Sequence, residues 1–260
     1  MITITNSKIA GFEPRWAPFR GFSLLFDNPG DSVSSMGRDW LKVDCSVDES
    51  EDLQLYKGFA EFLNEIGRYR LTNTYLFCPL PPYSYHVTVW DGLNDGNVQD
   101  VSADCHLRLK NFLKNLPGSL LTDKEFTNEV RHSPLITSTN RSIRFKFKRL
   151  AKWGNEVLVA SLMPADQDSE RELKRIVEDR KALSAWFRER FGVTMRSSYS
   201  PHVTLGYFAN EEYAASATPE IDRWTESVKK RVDQLTITFS GISLYGFTDM
   251  VTFFKETQRG

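Results

Sequence analysis

The chain is 260 residues long, 40% hydrophobic and 13% aromatic, and its 33 Lys plus Arg against 34 Asp plus Glu give a formal net charge of -1. So many apolar and aromatic residues exclude a disordered chain, the even charge balance excludes a global field that would recruit long nucleic acids, and no run is apolar for long enough to span a membrane. The N-terminal Met1-Ile2-Thr3-Ile4-Thr5-Asn6-Ser7-Lys8 lacks the apolar run and cleavage site of a secretory signal, so a cytoplasmic protein is expected.

Residues 1–19, with Gly11, Pro14 and Pro18, show no periodicity and read as an arm packed on the body. Gly21 to Phe26 reads as a first strand, closed by Asn28-Pro29-Gly30 and followed by a polar loop rich in serine. From Asp52 to Ile66, Leu55, Phe59, Phe62, Leu63 and Ile66 recur at helical spacing, and Gly67 offers a stop. Thr74–Phe77 and Tyr85–Trp90 read as strands on either side of Pro79-Leu80-Pro81-Pro82. Asp104–Leu116 reads as a helix stopped by Pro117-Gly118, and 119–138 is ambiguous, with room for one short helix.

In the second half, Ile143–Lys148 alternates strictly and Val157–Met163 is an apolar run, together suggesting a hairpin. A long helix follows from Ser169 to Phe191, with Leu173, Ile176, Val177, Leu183, Trp186, Phe187 and Phe191 on one stripe and Gly192 at its end. Ser200–Phe208 is again strand-like, Pro219–Val232 reads as a helix, and Leu235–Phe239 with Val251–Phe254 close the chain as strands. The expected fold is therefore α+β, one bilobed unit over 1–260. Its lobes, about 18–118 and 140–258, are each an antiparallel sheet with flanking helices and can exchange strands.

Two of the four histidines stand in identical tripeptides, His86-Val87-Thr88 and His202-Val203-Thr204, both inside strand-like runs. Side chains two apart in a strand share a face, so each strand delivers one imidazole and one hydroxyl together, with the valine anchored on the opposite side. Two imidazoles facing one phosphorus can divide the work of a phosphodiester cleavage, one taking a proton from the attacking oxygen and one giving a proton to the leaving oxygen. Thr88 and Thr204 would donate to the non-bridging oxygens as charge develops. Such chemistry needs no metal and no cofactor. Cys45, Cys78 and Cys105 are too few and too scattered for a zinc site or a disulfide framework, and His106 and His132 have no ligand spacing around them.

The paired motifs, with the Pro201-His202-Val203-Thr204-Leu205 form of the second, resemble the two-histidine (2H) phosphoesterase superfamily over most of the chain. That resemblance implies two pseudo-symmetric lobes around a central groove, with His86, Thr88, His202 and Thr204 matching position by position. It also implies metal-independent hydrolysis of a cyclic phosphate, a 2′-5′ linkage or a related nucleotide or RNA phosphodiester. The chain looks closest to a longer branch, extended through 1–19, 27–50 and 91–140, with a glycine soon after the first motif in Trp90-Asp91-Gly92. It departs from some members in having Gly206-Tyr207 where they carry a basic residue.

Other residues are candidates for the substrate. Trp90 shares the His86 face by strand parity and could stack on a base, as Gly206 shares the His202 face, while Tyr83, Tyr85 and Tyr199 lie in loops that would rim the site. Arg144, Lys146 and Lys148 give one strand a basic face, either a solvated outer surface or an attractor for an oligonucleotide. The expected partner is a nucleotide or short RNA, with no membrane and no obligate protein partner. The competing expectations are a nucleotide- or RNA-binding module with little turnover, and a structural protein whose two motifs lie far apart.

Overall fold

The structure, a computed structural model, describes residues 3–11, 15–154, 156–195 and 198–257. Strand β1 (Gly21–Phe26) leads to the hairpin β2 (Asp31–Ser35) and β3 (Trp40–Cys45), then to helices α1 (Gln54–Ile66) and α2 (Arg68–Thr74) and strands β4 (Phe77–Pro79) and β5 (Thr88–Asn94). Helices α3 (Ala103–Lys114), α4 (Ser119–Thr122), α5 (Asn128–His132) and α6 (Pro134–Thr137) precede the hairpin β6 (Ile143–Trp153) and β7 (Val157–Pro164). Then come α7 (Gln167–Phe191), β8 (His202–Phe208), α8 (Glu211–Ser216), α9 (Ile221–Val232), and the closing strands β9 (Thr236–Phe239), β10 (Ile242–Phe247) and β11 (Phe253–Glu256).

This is a mixed α+β fold in which, among the described residues, the strands form two sheets, β2-β3-β11-β10-β1-β5 and β4-β8-β7-β6-β9. Every strand pairing is antiparallel. Sheet membership does not follow chain order: β4 borders β8, and the last two strands insert between β3 and β1. The crossing that matters for the site follows β4. Leu80 N donates to Leu205 O at 2.9 Å, the chain makes a 3-10 turn at Pro82–Ser84, and Val87 then bridges Val203 before β5 joins the other sheet. One stretch of backbone thus runs along the edge of β8 and ties the two sheets together.

Helices α1 and α7 form where the sequence pattern places them. Helix α1 buries Leu55, Phe59, Phe62 and Leu63, and ends where Gly67 takes φ 88 and its N–H closes on Leu63 O. Helix α7 starts on Asp166, whose carboxylate accepts from Ser169 N at 2.8 Å, and stops at Gly192 in the left-handed region. It buries Ile176, Leu183, Phe187 and Phe191 with, on the same face, Arg180. Phe187 meets Trp90 at 5.1 Å between ring centroids, and Phe22 meets Phe112 at 5.7 Å, so one aromatic cluster joins β1, β5, α3 and α7. The described part of the N-terminal arm packs on the body through buried Ile9 and a Thr5 N to Ala209 O bond of 2.9 Å; Met1, Ile2 and Pro14 lie outside the described residues.

Several expectations are corrected. The polar stretch after β1 is not a loop but the β2–β3 hairpin: four of the five β2 residues are exposed and lack an apolar face, so no alternation announces the strand. Thr74 ends α2 rather than opening a strand, and 119–138 holds three short helices rather than one. Strand β10, Ile-Ser-Leu-Tyr-Gly-Phe, is additional to the expected strands, because its apolar residues and glycine do not alternate cleanly. The strand expected from Tyr85 begins only at Thr88.

Candidate active site

Val87 and Val203 form an antiparallel bridge, and both are fully buried. Antiparallel register then sets His86 across from Thr204 and Thr88 across from His202. All four lie on the face opposite the valines and are partly exposed. The two tripeptides, separated by more than a hundred residues of chain, are therefore neighbours in space, which removes the expectation of motifs far apart.

Local bonding orients both imidazoles alike. His86 Nδ1 donates to Ser84 O at 2.8 Å, and His202 Nδ1 donates to Ser200 O at 3.0 Å. A carbonyl can only accept, so Nδ1 carries the proton in each ring, which leaves Nε2 of His86 to exchange protons. Each ring also rests on an aromatic side chain, His86 on Phe253 at 4.5 Å and His202 on Trp153 at 4.0 Å between centroids.

A β-bulge follows each motif. Leu25 pairs with Thr88 but Leu24 with Trp90, leaving Val89 as the extra residue; Val159 pairs with Thr204 but Leu158 with Gly206, leaving Leu205 extra. The bulges reverse the strand parity after the threonines and correct two expectations. Trp90 does not share the His86 face: it is fully buried against Phe22 and Phe187, with Nε1 donating to Ser184 Oγ at 3.0 Å, and cannot stack on a base. Gly206 likewise turns away from the groove, and a Cβ there would stand 2.4 Å from both Cys78 O and the Phe77 ring. Gly92 has φ 62, and a Cβ would come within 1.9 Å of Phe22 O.

A groove of about 810 Å³ runs along Thr88, His202 and Thr204, lined by residues of both sheets together with α7 and the segment before β8. His86 lines a smaller cavity with Asn28, Asp31, Tyr83 and Tyr245. Burial holds the His86 imidazolium down to about 4, and the nearby His202 and Lys8 charges act in the same direction while the Ser84 carbonyl opposes them. In the same cavity burial raises the Asp31 carboxyl to about 6, against the hydrogen bond from Asn28 and the Lys255 charge.

The expected substrate contacts divide. Tyr199 lines the groove, and its hydroxyl donates to Thr88 O at 3.0 Å. Tyr83 is 43% exposed beside His86, with Lys42 over its ring at 5.6 Å. Tyr85 is corrected: it is 2% exposed, packed edge-on against Tyr56, and belongs to the core rather than to a rim. Arg144, Lys146 and Lys148 are exposed and do not line the groove, with Arg144 bound to Asp166 at 2.8 Å.

Cationic groups do reach the groove, but from positions not singled out in the sequence. Lys8 comes from the arm, Lys152 from the end of β6, and Arg180 from α7, and Asp91 and Asp100 line the same groove. Lys152 Nζ donates to Ala214 O at 3.0 Å and Thr218 Oγ1 at 2.9 Å. The one legible signal was Arg180, which interrupts the apolar stripe of α7 at the Ile176 plus four position. Among the described residues no group of three or more His, Cys, Asp or Glu is assembled to hold a metal, and no helix is long and apolar enough to cross a membrane.

No family model and no curated protein matches the chain. Among solved structures it is similar to ATU0111, a conserved protein of unknown function from Agrobacterium tumefaciens, with a TM-score of 0.56 and 15% identity over 97% of this chain and 90% of that one. At that identity the likeness is one of fold.

Proposed function

We propose that this chain is a phosphodiesterase of the two-histidine type, a cytoplasmic enzyme that hydrolyses a cyclic phosphate, a 2′-5′ linkage or a related nucleotide phosphodiester. In this reading the two sheets act as two lobes related by a local pseudo-twofold axis, with the phosphate seated over the Val87–Val203 bridge. That bridge is the observation that carries the reading, because it brings each histidine opposite the threonine of the other motif. The matching Nδ1 bonds, aromatic supports and bulges are what two equivalent catalytic strands require.

His86 serves as the base. Its neutral ring, fixed by Ser84 O as the Nδ1–H tautomer, offers Nε2 to the attacking water. As the water oxygen bonds to phosphorus and its proton moves to His86, the bond to the leaving oxygen breaks and that oxygen takes a proton from His202. The Thr88 and Thr204 hydroxyls donate to the non-bridging oxygens. Tyr199 holds the Thr88 backbone in place. A groove of about 810 Å³ is of the size that takes a nucleotide.

The test is hydrolysis of 2′,3′-cyclic nucleotides, 2′-5′ oligoadenylates and ADP-ribose cyclic phosphate by chelator-treated protein. Turnover of at least one, reduced about 10² to 10⁴-fold by His86→Ala and by His202→Ala, is expected. Tight nucleotide binding without product across the panel would instead make the chain a binding module.

A further inference from the structure

Arg180 carries more than its place in α7 requires. Its side chain is 4% exposed, and Nε donates to the carbonyl of Val89, the bulged residue next to Thr88. The guanidinium lies over the Tyr199 ring at 4.3 Å, and the Tyr199 hydroxyl in turn donates to Thr88 O. Among the described residues no carboxylate forms a salt bridge with it; the carboxylate whose field reaches it, Asp91, is exposed on the groove wall. The other guanidinium N–H groups have no protein partner among the described residues, and they are not sealed from solvent, so they open to the groove.

A neutral donor would serve the Val89 carbonyl at far lower desolvation cost than a buried guanidinium. A planar fork with donors to spare, facing a cavity, is suited to two parallel bonds to a phosphate. Lys8 and Lys152 on the same groove add positive charge, against Asp91 and Asp100 on its wall.

We propose that Arg180 forms a second anion subsite beside the scissile-phosphate position, so that the preferred substrate is a nucleotide cyclic phosphate bearing a further phosphate rather than a bare 2′,3′-cyclic mononucleotide. This rests on the hydrolase reading for the word substrate, but the subsite can be measured by binding alone. The second phosphate is supplied either by a terminal monoester or by a neighbouring phosphodiester, and the probes separate the two.

Calorimetric affinities of adenosine 2′-phosphate, adenosine 2′,5′-bisphosphate and the dinucleotide ApAp are measured for the wild type, Arg180→Gln and Arg180→Lys. Hydrolysis of the corresponding 2′,3′-cyclic phosphates is followed in parallel. Wild type should bind at least one two-phosphate ligand about tenfold or more tightly than the 2′-phosphate. That ratio should fall to near one in Arg180→Gln and to an intermediate value in Arg180→Lys, which keeps the charge and loses the fork. Ratios within one variant cancel losses common to all ligands, and the lysine variant decides if the glutamine variant does not fold. Equal wild-type affinity for all three ligands, or a preference retained without the guanidinium, overturns the subsite. Turnover without preference leaves the hydrolase standing and removes the subsite; preference without turnover does the reverse.

Discussion

His86 should make stability depend on pH with a sign and size that follow from its surroundings. In the unfolded chain the imidazole takes up a proton near 6.5, but in the folded protein burial delays this to about 4. Between those values the unfolded state binds more protons, so the stability associated with neutral His86 is complete above about 6.5 and is lost as pH falls toward 4. The difference corresponds to about 3 kcal/mol. Asp31, in the same cavity, acts in the opposite sense: its carboxyl goes from 3.8 to about 6 on folding, so its contribution is complete below 3.8 and lost as pH rises through 6. At roughly 3 kcal/mol it nearly offsets His86 over the shared window. Thermal unfolding of wild type and His86→Asn at pH 4, 5, 6 and 7 reads this difference. At about 2 °C per kcal/mol for a chain of 260 residues, the Tm of the variant relative to wild type should rise by about 6 °C from pH 7 to pH 4. Asp31→Asn should shift the relative Tm the other way. A wild-type-to-variant gap that does not change with pH would refute the assignment of a desolvated imidazole.

The kcat/KM profile should be bell-shaped, with an acid limb near 4 as His86 becomes neutral and able to accept a proton, and an alkaline limb as the acid loses its proton. A pH-rate profile checks this, and a rate independent of pH between 3 and 6 would count against His86 as base. Gly206→Ala should destabilise by about 2 kcal/mol or more in urea unfolding, because the Cys78 carbonyl it meets at 2.4 Å is backbone and cannot swing away. Trp90→Ala should cost about 3–5 kcal/mol of stability while leaving nucleotide Kd unchanged under folding conditions, and a Kd that weakens tenfold would restore Trp90 to the groove.

What was legible in the sequence was whatever a single periodicity reports. The stripes of α1 and α7, the His-Val-Thr tripeptides and the parity that sets Val87 and Val203 inward could all be read from spacing. The bulges could not: inserting Val89 or Leu205 into a ladder is a tertiary event, and it is what sent Trp90 to the core and turned Gly206 away from the groove. Tyr85 lies in the core and not on a rim because a 3-10 turn precedes it and points its ring at Tyr56. The β2 strand carries its pattern in its partner β3, not in itself. Nor could spacing along the chain show that Lys8, Lys152 and Arg180, from three distant segments, converge on one groove.

If His86 and His202 act together on one phosphate, a double-mutant cycle on a hydrolysed cyclic nucleotide will show it. Removing either imidazole should cost nearly as much as removing both, so that His86→Ala/His202→Ala is little slower than the slower single variant. Losses that multiply, or full activity in either single variant, would contradict a shared site.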